Sequence, residues 1–322
     1  MDFNKKTVWV LTDGSQGMVS QVMGLAQHFS KKIYSINTKL IFPWSVLQPG
    51  FLPIFSWIFV NNINNIRKPD IVISCGRKSV YLSLYLKKIY SNKIITIHIQ
   101  NPKINFSKFD FIVAPNHDRI IGNNVINSLG AIHKFNSEII NKEKKIMQIK
   151  NKNLVSVIIG GKNRHYKFSK DDIYDLISKI KKLKNNSKNF TFLIISSRRT
   201  SNEIKVILSD KLKKIAIVWN EKEKNPYLFS LKYSKFYIIT SDSTSMISEC
   251  AFTGRPILVY HLPFRRESKR MENFHNEFEK LKITRKFLNN TKLEERKYKR
   301  FDEAKRISGI LKERIIKGHN ES

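Results

Sequence analysis

The chain has 322 residues and sets 59 Lys and Arg against 26 Asp and Glu, for a formal charge of +33. With 41% hydrophobic and 11% aromatic residues it has the apolar material for ordinary cores, which excludes a disordered basic tail or a histone-like arm. The length suits two domains, and the two distant cysteines, Cys75 and Cys250, support neither a disulfide framework nor a cysteine zinc site.

Short β-rich runs alternate with helical patterns, which predicts an α/β fold built on parallel sheets. In the first half, strands are expected at 7–11, 33–37, 71–75, 94–99 and 111–114, with helices over 20–30 and 78–90. The opening apolar run is too short for a signal-peptide core, which favours a cytoplasmic protein. The longest apolar stretch, 40–60, is broken by Pro43, Pro49, Gly50 and Pro53, so no spanning helix is expected there. Residues 136–153 are polar, lysine-rich and weakly periodic, and read as a linker between a domain at 1–140 and another at 150–322.

The pattern then restarts, with strands expected at 154–159, 191–196, 215–218, 236–240 and 257–260 and helices over 170–184, 227–234 and 243–252. Beyond Tyr260, amphipathic helices are expected at 273–282 and 293–316, counted with the second domain but able to pack back across either one. The fold class is therefore α/β, with two tandem Rossmann-like domains and C-terminal helices.

Ligands of open α/β sheets bind at the carboxyl ends of strands, so the residues just after each strand are the ones to inspect. The first such loop holds Asp13, Gly14 and Gly17; it lacks GxGxxG spacing and suits a plain strand-to-helix turn as well as a ligand loop. The second domain opens with Gly160, Gly161, Lys162, Asn163, Arg164 and His165, which offers backbone room and positive charge to a diphosphate, or is simply a solvated basic loop. Arg198 and Arg199 follow the next strand and suit either a phosphate clamp or a salt bridge. In the segment 240–256, Asp242 or Ser243 caps a helix, Gly254 ends it and Pro256 prevents its continuation. Its hydroxyls and free N–H groups suit phosphate, and Glu249 suits a ribose diol. A capped core helix with a solvated glutamate fits the segment equally.

Taken together, Thr12-Asp13-Gly14, Ile73-Ser74-Cys75-Gly76-Arg77, Ile99-Gln100-Asn101-Pro102, Ala114-Pro115-Asn116-His117-Asp118, Ile159-Gly160-Gly161, Ser197-Arg198-Arg199-Thr200, Asn225-Pro226-Tyr227 and Thr240-Ser241-Asp242-Ser243 with Ser245-Met246 resemble the Elm-type mitochondrial-fission family. The likeness is collinear from about residue 7 to residue 287. Bacterial members of that family are grouped with glycosyltransferases of the GT-B fold, so the resemblance implies a nucleotide-sugar site in the second domain. The sequence departs from the family in the first loop, which runs Gly17-Met18-Val19-Ser20-Gln21, and at Asn101, where the family has Asp. The helix bearing Glu249 is also similar to the donor-binding helix of the peptidoglycan N-acetylglucosaminyltransferase. That likeness implies Glu249 on the ribose, with Gly160, Gly161, Ser243 and Ser245 near the diphosphate.

Glycosyl transfer needs a stabilised leaving diphosphate and, for inversion, a base. The candidate bases are Asp13, His117 and Asp118. Gly14 and Gly17 fall on the acceptor side, with Arg77, which suits either contact with an anionic acceptor or ordinary surface charge. No metal site and no cofactor beyond the nucleotide-sugar donor are expected, and Cys75 reads as a packing residue.

Residues 41–60 carry Phe42, Trp44, Phe51, Phe55, Trp57 and Phe59, which suits either core packing or peripheral contact with an anionic membrane. The expected function is a metal-independent transferase acting on an envelope or lipid-linked glycan. A non-catalytic scaffold at a membrane, as the plant members of the family suggest, is the second reading. Nucleic-acid binding is third, because the basic residues are dispersed and lack recognition motifs.

Overall fold

The computed structural model describes residues 1–60, 66–149 and 153–320. The chain divides into two compact units, one of Met1–Lys134 with Asp302–Ser322 and one of Phe135–Phe301.

In the first unit, β1 (Val8–Thr12), β2 (Ile33–Asn37), β3 (Ile71–Cys75), β4 (Ile95–Ile99), β5 (Phe111–Pro115) and β6 (Val125–Ser128) form one parallel sheet in the order β2-β1-β3-β4-β5-β6. Every residue of β1 and β3 is buried, as continuous apolar runs require of parallel strands covered on both faces. Alternate residues serve opposite faces. Val8 and Val10 pack with Val22 and Leu25 of α1 (Gln16–Ala26), while Trp9 and Leu11 pack with Leu82 and Leu86 of α2 (Arg77–Tyr90).

The segment expected to be a linker contains α3 (Ser137–Lys142), whose cap Asn136 accepts from the Ile139 N–H at 2.8 Å. Residues 150–152 of that segment lie outside the described residues. This short helix belongs to the second unit. That unit's sheet comprises β7 (Leu154–Ile159), β8 (Thr191–Ser196), β9 (Ile217–Val218), β10 (Ser234–Thr240), β11 (Ile257–Tyr260) and β12 (Thr284–Lys286), all parallel, in the order β12-β11-β10-β7-β8-β9. Counted from its own first strand this is the 3-2-1-4-5-6 order of dinucleotide-binding sheets. Its helices are α4 (Lys170–Asn186), α5 (Asn202–Leu212), α6 (Tyr227–Tyr233), α7 (Thr244–Ala251) and α8 (Lys269–Lys280). Ser169 and Asp172 close a reciprocal capping box at the start of α4.

The expected 293–316 helix starts later, as α9 (Glu303–Asn320), and it belongs to the first unit, not the second. The physical reason is its apolar stripe. Ala304, Ile307, Leu311 and Ile315 are buried in the same cluster as Phe3, Val22 and Phe29. Glu303, itself buried, accepts from the Leu129 N–H at 2.8 Å and pairs with Arg306 at 2.7 Å, pinning the helix start beside the end of β6.

Two helical glycines make opposite predictions. A Cβ on Gly24 would lie 2.3 Å from the His133 carbonyl oxygen, whereas one on Gly309 meets nothing within 4 Å. Gly24→Ala is therefore expected to destabilise the protein by about 1–3 kcal/mol despite its better helix propensity. Gly309→Ala should stabilise it by about 1 kcal/mol. Urea midpoints of the two variants, moving in opposite directions, check this.

Candidate functional site

In the second unit the strand order reverses between β7 and β10, and the residues leaving their carboxyl ends meet there. The centre is Asp242, whose side chain is fully buried. One carboxylate oxygen, Oδ2, accepts from Arg199 Nη2 at 2.6 Å and from the Gly161 N–H at 3.1 Å. The other, Oδ1, accepts from the Thr240 hydroxyl at 2.6 Å. The Asp242 carbonyl in turn accepts from Asn163 Nδ2 at 3.1 Å. Thr240 Oγ1 also receives the Gly160 N–H at 2.8 Å, and Thr200 Oγ1 donates to the Gly160 carbonyl at 2.6 Å. A buried carboxylate is tolerable only with this kind of pairing.

The glycines are required by packing. A Cβ at Gly160 would fall 2.1 Å from the Asp242 carboxylate, and one at Gly161 would fall 2.0 Å from the Arg199 carbonyl oxygen. The N–H groups of these two glycines, which were expected near a diphosphate, are engaged by Thr240 and Asp242, so the loop brings three strand ends together. Ser243, not Asp242, caps α7, accepting from the Met246 N–H at 3.4 Å.

Further along α7, Glu249 is half-buried and accepts a hydrogen bond from the Tyr227 hydroxyl. Burial and the adjacent Glu249 carboxylate hold the Tyr227 phenol well above the usual tyrosine range, so it remains a donor. Ser245 is half-buried on the first turn of the same helix. On the loops after β7 and β8, Lys162, Arg164 and Arg198 are exposed, and Arg199 is 45% exposed with one edge committed to Asp242. His165 adds no charge. Arg164 Nε donates to its Nε2 at 2.8 Å, and burial together with Arg164, Arg270 and Arg266 lowers its pKa.

In the first unit the reversal falls between β1 and β3. Asp13 is exposed there and its Oδ1 accepts from the Ser15 N–H at 3.1 Å, an Asx turn that leads into α1. Gly14 (φ +86°) and Gly76 (φ +97°) occupy left-handed backbone, and Gly17 is exposed. The Arg77 guanidinium is tied to the main-chain carbonyls of Trp44, Ser45 and Leu47. His117 and Asp118 share one turn after β5, with Nε2 and Oδ1 3.8 Å apart. β5 lies three strand positions from β1, or about 14 Å at ~4.8 Å per strand, so Asp13 and the His117/Asp118 pair occupy separate places. Cys75 is buried and its thiol is pushed up, chiefly by burial and then by Asp13, as suits a packing residue.

Asp242, Thr240 and Tyr227 are central to the polar geometry of this site, and sequence reasoning gave them minor parts. An aspartate before a helix reads as a cap, and nothing local reveals a pairing with Arg199 made 43 residues away.

Residues 16–315 match the family described as Mitochondrial fission ELM1. The Rickettsia prowazekii protein RP120 is 28% identical over 95% of this chain and 97% of its own length. The Arabidopsis thaliana mitochondrial fission protein ELM1 is 25% identical over 59% of this chain and 51% of its own length, so this chain spans about half of that relative. Among solved structures, the UDP-GlcNAc 2-epimerase of Methanocaldococcus jannaschii, crystallised with UDP-GlcNAc and UDP, aligns with a TM-score of 0.51 at 14% identity over 95% of this chain and 99% of that one. The glycotransferase of kitacinnamycin aligns with a TM-score of 0.51 at 11% identity, over 89% and 87% of the two chains. The fold is the GT-B type, with two Rossmann-like domains.

Proposed function

The chain belongs to the mitochondrial fission ELM1 family, and from that premise we propose that it is a glycosyltransferase whose nucleotide-sugar donor binds at the carboxyl end of the second unit's sheet. The observation that carries this is that the capped start of α7, at the β7/β10 reversal, is joined through the Arg199–Asp242 pair to the loop that also carries the exposed Arg198, with the half-buried Glu249 further along the same helix. Support also comes from the structural neighbour solved with UDP-GlcNAc and UDP.

In this reading the diphosphate meets the N-terminal turn of α7, with Ser245, and the guanidinium groups of Arg198 and Arg199, which stabilise the leaving charge without a metal. Glu249, oriented by Tyr227, accepts from the ribose hydroxyls. Asp242 holds the strand ends in register and does not touch the donor. Asp13, at the first unit's own reversal point, is the group assigned to take the acceptor proton, and its exposure leaves it open to an acceptor. The acceptor is an envelope or lipid-linked glycan.

A thermal-shift series with UDP-, GDP-, ADP- and CMP-linked sugars tests the donor site. One nucleotide series is expected to raise the melting temperature. Glu249→Ala should weaken that ligand by about 10- to 100-fold, the range for a hydrogen bond to a charged group. Tyr227→Phe, which frees the carboxylate's orientation but keeps its charge, should weaken it less. If no nucleotide or nucleotide sugar stabilises the protein, the transferase reading fails and the scaffold reading takes its place.

A further inference from the structure

We infer that residues 41–60 form a preassembled docking surface for an anionic phospholipid bilayer. The loop is closed by backbone bonds from Ile41 N to Ile58 O at 3.1 Å and from Val60 N to Lys39 O at 3.1 Å, so its two ends run side by side. Inside it, Leu40, Trp44, Ile58 and Tyr81 make a small buried core. Trp44 Nε1 donates to the Pro53 carbonyl at 2.9 Å, and Tyr81 on α2 donates to the Gln48 carbonyl at 2.8 Å. Arg77 fastens three more carbonyls, so the loop is held to α2 through its own backbone.

What this scaffold presents outward is apolar. Phe42 and Phe51 are each 77% exposed, Val46 62%, Val60 61%, Trp57 59% and Phe55 43%. Phe55 and Trp57 stack at 5.5 Å, and the buried Trp44 supports Trp57 edge-on at 5.1 Å. Trp44 therefore belongs to the loop's interior, and of the aromatic residues noted in the sequence, Phe42, Phe51, Phe55 and Trp57 form the surface. So large a group of exposed rings on one loop marks an interaction site.

Charge selects the partner. No acidic residue occurs between Asp13 and Asp70, and residues 1–134 hold sixteen Lys and Arg against five Asp. Of those five, Asp70 and Asp110 are paired with Lys6 and Lys87 at 3.1 and 2.8 Å. Beside the loop, Ile54, Leu84 and Tyr85 line a groove of about 460 Å³ rimmed by Lys87, Lys88 and Lys108, with Lys88 and Lys108 exposed. Aromatic rings at the level of the headgroups with lysines on the phosphates is the combination an anionic bilayer recognises. A protein partner would have to supply the same apolar face and a dense negative rim. Among the described residues no helix is long and apolar enough to cross a membrane, and binding through a surface of this kind is reversible.

The test uses the full chain and vesicles of phosphatidylcholine with or without phosphatidylglycerol. The protein is expected to sediment with the anionic vesicles and far less with the zwitterionic ones, and the emission of the exposed Trp57 should shift to the blue. Phe51→Ser with Trp57→Ser should lower the partition by about 100-fold, and Lys88→Ala or Lys108→Ala by about fivefold each. Trp57→Phe, which keeps the apolar ring, should bind and lose the emission shift. The inference is overturned if the protein fails to bind anionic vesicles at low salt, if the double serine variant binds as the parent does, or if Trp57 is covered by a concentration-dependent dimer. No arm involves a nucleotide sugar, so the outcome is separate from that of the donor-site test.

Discussion

Asp242→Ala is expected to destabilise the second unit by about 3–5 kcal/mol, the cost of removing one partner from a buried charged pair. The substitution takes away the acceptor for Arg199, for the Gly161 N–H and for the Thr240 hydroxyl at once. It also opens the space against which Gly160 is packed. Arg199→Ala should cost a comparable amount, because it leaves the fully buried Asp242 carboxylate without its cation. Asp242→Asn keeps the shape and the Thr240 contact but loses the charge, and should cost less than either. Hydrogen exchange along β7 and β10 isolates this unit from the rest of the chain. Protection unchanged to within 1 kcal/mol in Asp242→Ala would show that the carboxylate does not hold the strand ends together.

Acid is expected to unfold the first unit through His98. This residue is buried near the end of β4, with Nδ1 2.8 Å from Ser74 Oγ and its ring beside Phe109. Burial lowers its pKa from 6.5 to about 3. The unfolded chain therefore binds the proton first as pH falls, and stability decreases with decreasing pH between those two values. At about 1.4 kcal/mol per pH unit the loss over that window is on the order of 4 kcal/mol. Above pH 6.5 the contribution is complete, and below about 3 no more is lost. Parent and His98→Gln compared by urea unfolding across this range should differ in slope, with the variant flatter. An NMR titration in which the His98 ring becomes charged near pH 6 would contradict the prediction.

Most of the architecture was legible because parallel strands buried on both faces must be continuous apolar runs. The strands at 71–75, 154–159 and 191–196 were expected with the boundaries they have. Elements whose burial is partial were harder to see. β6 ends in Asn-Ser, and β12 is three residues long with two of them charged. α5 did carry a signal, since Ser201 caps it and Ile204, Leu208 and Leu212 recur every four residues. The expected 293–316 helix failed over its first ten residues, where charged side chains hide the absence of a buried face, and held where Ile307, Leu311 and Ile315 have a core to enter.

The sequence by itself determined the class of the fold, the family and the set of strand-end loops that carry polar chemistry, because each of these is written in local composition and spacing. The tertiary structure decided which of those residues act together. It separated Asp13 from His117 and Asp118 by three strand positions, engaged the N–H groups of Gly160 and Gly161 with Thr240 and Asp242, committed Arg77 to loop carbonyls and returned the last helix to the first unit. It also turned Trp44 inward and left Trp57 outward, though both are tryptophans in the same apolar run. The physical reason is the same throughout. A residue's partner is set by which strand ends lie side by side and which faces remain to be covered, and those are properties of the crossover order rather than of any stretch of neighbouring residues.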